Sequence, residues 1–266
     1  MSLLKCLLKM LGPAACFTSL FCFAYAQGKV SSIRFAVNTP GSPPYLYFDT
    51  DSQAYQGVVV DFFASQKLSS QFSVKYLDSN RARSESLLES RAVDVFLSSE
   101  RWIDTPNDFL ISDVLMQHNS YMYATSNFNS PFIPAENFAT SICTRYGFTY
   151  PVLQRFFDDD KRYITRVNSS SQFTMAMMLS KGRCDFAIMN EYNARSVMFD
   201  EKFCSTTFYQ SPNVISGVNL VFIIRSGLDS LKHEIDTALK HFVESGERQR
   251  SIERHSGVNQ FPKVEC

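Results

Sequence analysis

The chain has 266 residues, 45% of them hydrophobic and 20% charged, so it carries enough apolar side chains for a sizeable core. Its 26 basic and 26 acidic side chains cancel, which leaves no electrostatic footprint for nucleic acid and no basic stripe for an anionic membrane surface.

Residues 1–26 read as a secretory signal peptide. Lys5 and Lys9 supply the positive start, residues 11–23 carry no charge, and Ala24-Tyr25-Ala26 is a small-x-small cleavage site. A membrane-spanning helix needs about 20 apolar residues, more than the run after Lys9 offers. Cleavage after Ala26 leaves 240 residues, enough for one large domain or two small lobes, with 24 basic against 26 acidic side chains. It also leaves Cys143, Cys184, Cys204 and Cys266. An even set in an exported chain predicts disulfides, and all three pairings stay open.

An alternating run over 32–37 reads as a strand. It stops at Asn38-Thr39-Pro40-Gly41-Ser42-Pro43-Pro44, which continues neither a helix nor a central strand. Gly57 precedes Val58-Val59-Val60-Asp61-Phe62-Phe63-Ala64, a buried helix or strand that length alone does not decide. Residues 72–76 read as a strand and 84–90 as a short helix, and Asp94 opens the strand Val95-Phe96-Leu97. The second half repeats this grammar. Ser169-Ser170-Ser171 offers an N-cap, Phe173, Met177 and Met178 a helical face, and Gly182 a helix end that wants positive φ. Asp185 then opens Phe186-Ala187-Ile188-Met189, 91 residues after Asp94. Helix-then-strand units favour parallel sheets with right-handed crossovers, and two distant copies predict two lobes of like construction. Leu228, Leu231, Ile235, Leu239, Phe242 and Val243, spaced mostly three or four apart, predict a closing amphipathic helix ended by Gly246. A further short helix is expected over 248–254.

No HExxH, P-loop, GxGxxG or GxSxG motif is present. His118, His233, His241 and His255 are scattered and read as solvated surface residues rather than ligands, so neither metal nor cofactor is expected. Asp158-Asp159-Asp160 lacks the alternating oxygen ligands, the glycine and the closing glutamate of a calcium loop, and reads as an acidic surface turn. Most of the 24 Phe and 12 Tyr are assigned to the core. Asp94 and Asp185 read as caps of the turns before their strands. Asp61 reads as a first-turn helix residue, where the macrodipole favours an anion.

The order of Pro43-Pro44-Tyr45, Gly57-Val58-Val59-Val60-Asp61, residues 87–95, Phe109-Leu110-Ile111-Ser112-Asp113, Arg145-Tyr146-Gly147, Gly182-Arg183-Cys184-Asp185 and the closing helix resembles bacterial extracellular solute-binding proteins of family 3. These are periplasmic receptors for polar amino acids. The resemblance implies an α/β, two-lobed periplasmic binding protein-like fold, with two mostly parallel sheets joined by two extended crossovers. Lobe 1 is then 27–116 plus 216–266, lobe 2 is 117–215, and the crossovers lie at 115–119 and 211–216. It further implies a monomer that captures a small-molecule ligand for an inner-membrane ABC transporter or a sensor.

Carried over residue by residue, the resemblance puts the ligand on Asn38, Tyr45, Ser99, Arg101, Arg145, Thr149 and Asn190. Asn38 and Asn190 stand where the family favours groups that meet an ammonium, Tyr45 in the aromatic turn beside it, and Ser99 and Arg101 in the loop that receives a carboxylate. Arg145 and Thr149 lie in the lobe 2 loop that meets the ligand from the other side. The place of the family's carboxylate-clamping arginine reads Asp104-Thr105-Pro106 here, so Arg101 substitutes from a shifted position. Both ammonium positions are amides, which carry no charge to offset a desolvated cation. A cleft holding Arg101 and Arg145 without those acids prefers a net negative ligand, unless Glu100 or Glu191 turns inward. Two other functions fit the same fold: a cyclohexadienyl dehydratase, which needs a general acid beside its carboxylate clamp, and a stand-alone sensory module.

Overall fold

The computed structural model describes residues 31–39, 41–159 and 164–256; residues 1–26, read above as a signal peptide, and Asp160 and Cys266 lie outside the described residues. The chain opens with β1 (Ser31–Asn38), followed by a small antiparallel sheet of β2 (Gly41–Ser42), β3 (Leu46–Asp49) and β4 (Ala54–Gln56). Then come α1 (Val58–Ala64), α2 (Gln66–Ser69), β5 (Phe72–Ser79), α3 (Arg81–Glu89), β6 (Val95–Ser98) and the long β7 (Phe109–Ala124). The second half runs β8 (Thr140–Arg145), α4 (Pro151–Phe157), β9 (Ile164–Ser169), α5 (Gln172–Ser180), β10 (Phe186–Asn190) and α6 (Glu191–Met198). The long β11 (Tyr209–Arg225) leads back to α7 (Asp229–Glu244) and α8 (Glu247–Ser256).

Among the described residues, eight strands form one sheet in the order β5-β1-β6-β11-β7-β10-β8-β9. β5, β1 and β6 are mutually parallel, as are β10, β8 and β9. The antiparallel pair β7 and β11 lies between these two groups and contains both segments expected as crossovers, so hydrogen bonding is continuous from one half to the other. The ladder between them shifts register between Gln210 and Val214 and again between Val214 and Ser216.

The run at 58–64 is a helix, and Asp61 sits in its first turn. Gly57 makes this turn possible. At φ 121° it brings its backbone against the Tyr45 carbonyl, where a Cβ would lie 2.5 Å from the oxygen. Val58 and Val59 donate their amides to the Pro44 and Tyr45 carbonyls, so Tyr45 is fixed to the head of α1. The closing helix buries Leu231, Ile235, Leu239 and Phe242 as its spacing requires, with Ala238 in place of the exposed Val243. Phe62 stacks on Phe222 at 5.2 Å and meets Phe242 edge-on, tying α1 and α7 to β11. In α5 the buried face is Met175, Ala176 and Leu179 rather than Phe173, Met177 and Met178. This helix is apolar on nearly every side, so its neighbours choose the inward face.

Asp94 and Asp185 do not cap turns. Each carboxylate accepts the backbone N–H of the adjacent strand, Arg34 for Asp94 and Ser141 for Asp185. Each aspartate's own N–H returns a hydrogen bond to the same residue's carbonyl. Cys143 in β8 is bonded to Cys184 just before β10, and Cys204 is disulfide-bonded as well. No helix among the described residues is long and apolar enough to cross a membrane.

Candidate functional site

Parallel strands present their carboxyl ends on one edge, where loops and helix starts converge. In the first half these ends are Asn38 on β1, Ser79 on β5 and Ser98 on β6. Asn80 caps α3 by accepting the Arg83 amide, and Ser99 continues from β6 into a single 3₁₀ turn. In the second half they are Arg145 on β8, Ser169 on β9 and Asn190 on β10. Ser171 caps α5, and Asn190 caps α6 by accepting the Tyr192 and Asn193 amides.

The two edges meet at Tyr45. Its hydroxyl lies 2.7 Å from His118 Nδ1 and 3.2 Å from Asn190 Oδ1. Burial pushes the Tyr45 phenol well above its ordinary pKa, and burial holds His118 down at about 4, so both are neutral at pH 7. Tyr192, from α6, packs edge-on against Tyr45 at 5.8 Å and joins the hydrophobic core of the first half. On the other side His118 meets Trp102 edge-on at 5.6 Å, and the Arg81 guanidinium lies 4.9 Å over the Trp102 ring. Asn38 Oδ1 accepts the Arg81 amide. One chain of contacts therefore runs from Asn38 through Arg81, Trp102, His118 and Tyr45 to Asn190.

The expected residues fall into three groups. Tyr45 and Asn190 touch directly, and Asn38 joins them through Arg81. Buried Ser99 accepts the Trp102 amide on its carbonyl. Arg145 is half-buried at the end of β8, its guanidinium 5.4 Å over the Phe148 ring. Its Nε is buried without a hydrogen-bond partner. Tyr150 Oη accepts the Arg145 amide, and Arg166 donates to the Phe148 and Arg145 carbonyls, which fixes the loop. Arg101 and Thr149 are exposed, and among the described residues no hydrogen bond or ion pair links them to the cluster.

His118 and His255 correct the expectation of solvated histidines. The first is part-buried against Tyr45, and the second lies between Asp61 and Tyr47 with its side chain 7% exposed. His233 and His241 are exposed as expected. Sequence reasoning also passed over Arg81, Trp102 and Tyr192. Trp102 had a signal, as the chain's single tryptophan and the neighbour of Arg101; Arg81 and Tyr192 had none. Glu191 is half-buried in the first turn of α6, and burial pushes its carboxyl above the ordinary value, opposed by Arg195. An open cavity of about 350 Å³ lies elsewhere, between α1, α7 and α8, lined by Asp61, Phe242, Arg250 and Arg254 among others. It is remote from the strand ends, and Asp61 there is spent on Ser251, Arg254 and His255.

No family model matches the chain, and no curated protein matches it. Solved structures do. A probable amino-acid ABC transporter extracellular-binding protein, YtmK of Bacillus subtilis, is similar at TM-score 0.67 and 16% identity, over 84% of this chain and 96% of that one. The GluR0 ligand-binding core in complex with L-glutamate is similar at 0.64 and 12% identity, over 86% and 100%. A histidine kinase sensor domain with similarity to periplasmic binding proteins is similar at 0.61 and 14% identity, over 87% and 98%. Likeness over nearly the whole length of such neighbours, with the strand order above, gives this chain the two-lobed α/β fold of periplasmic binding proteins.

Proposed function

We propose that this chain is an exported solute-binding protein of the family 3 type. It captures a small polar or anionic solute between lobe 1 (27–116 and 216–266) and lobe 2 (117–215), for an ABC transporter or a sensor. The observation that carries the reading is the hydrogen bond from Tyr45, in the turn before β3, to Asn190 at the carboxyl end of β10, which ties the first half to the second. Closing such edges over a guest removes it from water, which strengthens each polar contact inside. Asn38, Tyr45, Ser99, Arg101, Arg145, Thr149 and Asn190 are the proposed ligand-facing set, in a monomer working in the periplasm without cofactor. Neighbours that are transporter-associated binding proteins or sensor domains support the reading.

One observation favours the enzyme alternative. Glu191, half-buried beside the cleft with a raised pKa, has the character of a general acid. A thermal-shift panel of amino acids, dicarboxylates and prephenate separates the two. A ligand at 100 times its Kd adds about 2.7 kcal/mol of stability, and Arg145→Ala should abolish that shift with the fold intact. Turnover of prephenate, lost in Glu191→Gln, would replace capture by catalysis.

A further inference from the structure

Each half of the sheet presents the same device at its strand ends. Arg81, the first residue of α3, lays its guanidinium over Trp102, and Arg145, the last of β8, lays its own over Phe148. A guanidinium over a ring is drawn to its face by the ring quadrupole, and N–H groups that bond nothing in the protein remain able to grip a carboxylate. Neither arginine has an ion-pair partner among the described residues. Arg145 further carries a buried Nε with no acceptor.

Most groups that would receive an ammonium already hold hydrogen bonds within the protein. Asn38 Oδ1 holds the Arg81 amide, so this amide positions a cation rather than meeting one. Asn190 Oδ1 already accepts two backbone amides and faces the Tyr45 hydroxyl. Asp78, next along the first edge, accepts the Thr39 and Tyr55 hydroxyls. Glu191 lies beside Arg195, and Glu100 is exposed.

We infer that the solute is a dicarboxylate without an amine, one carboxylate on the Arg81–Trp102 stack and the other on the Arg145–Phe148 stack. Arg81 and Trp102 thereby become ligand-binding residues of the first lobe. This rests on the capture reading above and specifies its ligand. Tyr45, neutral and tied to His118, joins the first stack through the His118–Trp102 contact as a wall without charge of its own.

The test titrates purified protein with unsubstituted dicarboxylates from malonate to adipate, then with glutamate, glutamine and acetate, by calorimetry and by Trp102 emission. At least one dicarboxylate should bind ten-fold or more tightly than glutamine and acetate, and the best length measures the gap between the stacks. Arg81→Gln and Arg145→Gln should each weaken it about 10- to 100-fold, at 1.4 kcal/mol per ten-fold, and Arg81→Gln should shift Trp102 emission in the free protein. Glutamine or glutamate binding more tightly than every plain dicarboxylate would overturn the dicarboxylate and leave solute capture standing. Unchanged affinity in a folded Arg81→Gln protein would overturn the first-lobe anchor. No response to any compound here, to other amino acids or to prephenate would remove the capture reading itself.

Discussion

Asp94 and Asp185 occupy equivalent places in the two halves, and the sheet builds on them differently. Val95 pairs with Phe35 as Phe186 pairs with Ile142, so Arg34 and Ala36 correspond to Ser141 and Cys143. In both halves the aspartate ties its strand to the neighbour's backbone. In the first half Arg34 and Arg225 close on the buried Asp94 carboxylate, whereas in the second the exposed Asp185 takes only the Ser141 amide and hydroxyl. The second half places Cys143 and Cys184 where the first has the buried Ala36 and Val93. The same local grammar sets strand pairing twice, and one half secures it with charges, the other with a covalent bond.

Three measurements test whether the two halves are held in different ways. Replacing both Cys143 and Cys184 with alanine opens a 41-residue loop and should cost about 4 kcal/mol, read from the urea midpoint. A loss under 1 kcal/mol would show that the staple adds nothing to the Asp185 tie. Next, Asp94→Ala should cost about 3 kcal/mol, the low end for breaking a buried pair, because the Arg34 side chain is 39% exposed. Asp185→Ala should cost about 1 kcal/mol, and equal losses would end the distinction. A pH-dependent effect belongs to His118, between the halves. Its folded pKa of about 4 lies below the ordinary 6.5, so the unfolded chain binds its proton first and stability falls as pH drops from about 6.5 to 4. At about 1.4 kcal/mol per unit, discounted for partial exposure, the loss is about 2 kcal/mol. It should vanish in His118→Gln. Asp94 acts below that window: burial alone would raise its pKa, but the Arg34 hydrogen bonds hold it under the usual carboxylate range, and its contribution is lost only in stronger acid.

Much of this was legible in advance. The strand after each aspartate, the helix ends at Gly182 and Gly246 and the buried stripe of α7 follow from turn chemistry and periodicity, both local. The inward face of α5 was not legible, because a helix apolar all round has no preferred side until Tyr123, Ala187 and Met189 gather Met175 and Leu179 into one cluster. Nor was the role of His118, whose sequence neighbours are polar while its burial comes from Tyr45 and Trp102, distant in the chain. For the site, Tyr45 in its turn and Asn190 at a strand end could be chosen from sequence. Arg81 could not, since its meaning lies in a ring 21 residues away.

The position of β11 also constrains how the molecule is made. The penultimate segment of the chain supplies a central strand, between β6 and β7. Until residues 209–225 leave the ribosome, β6 shows an unpaired edge of the kind that invites sticking to other chains. The first hundred residues must therefore wait, partly assembled, for the last sixty. Pairing between such distant segments is slow to form, which leaves the chain open until its last part is free.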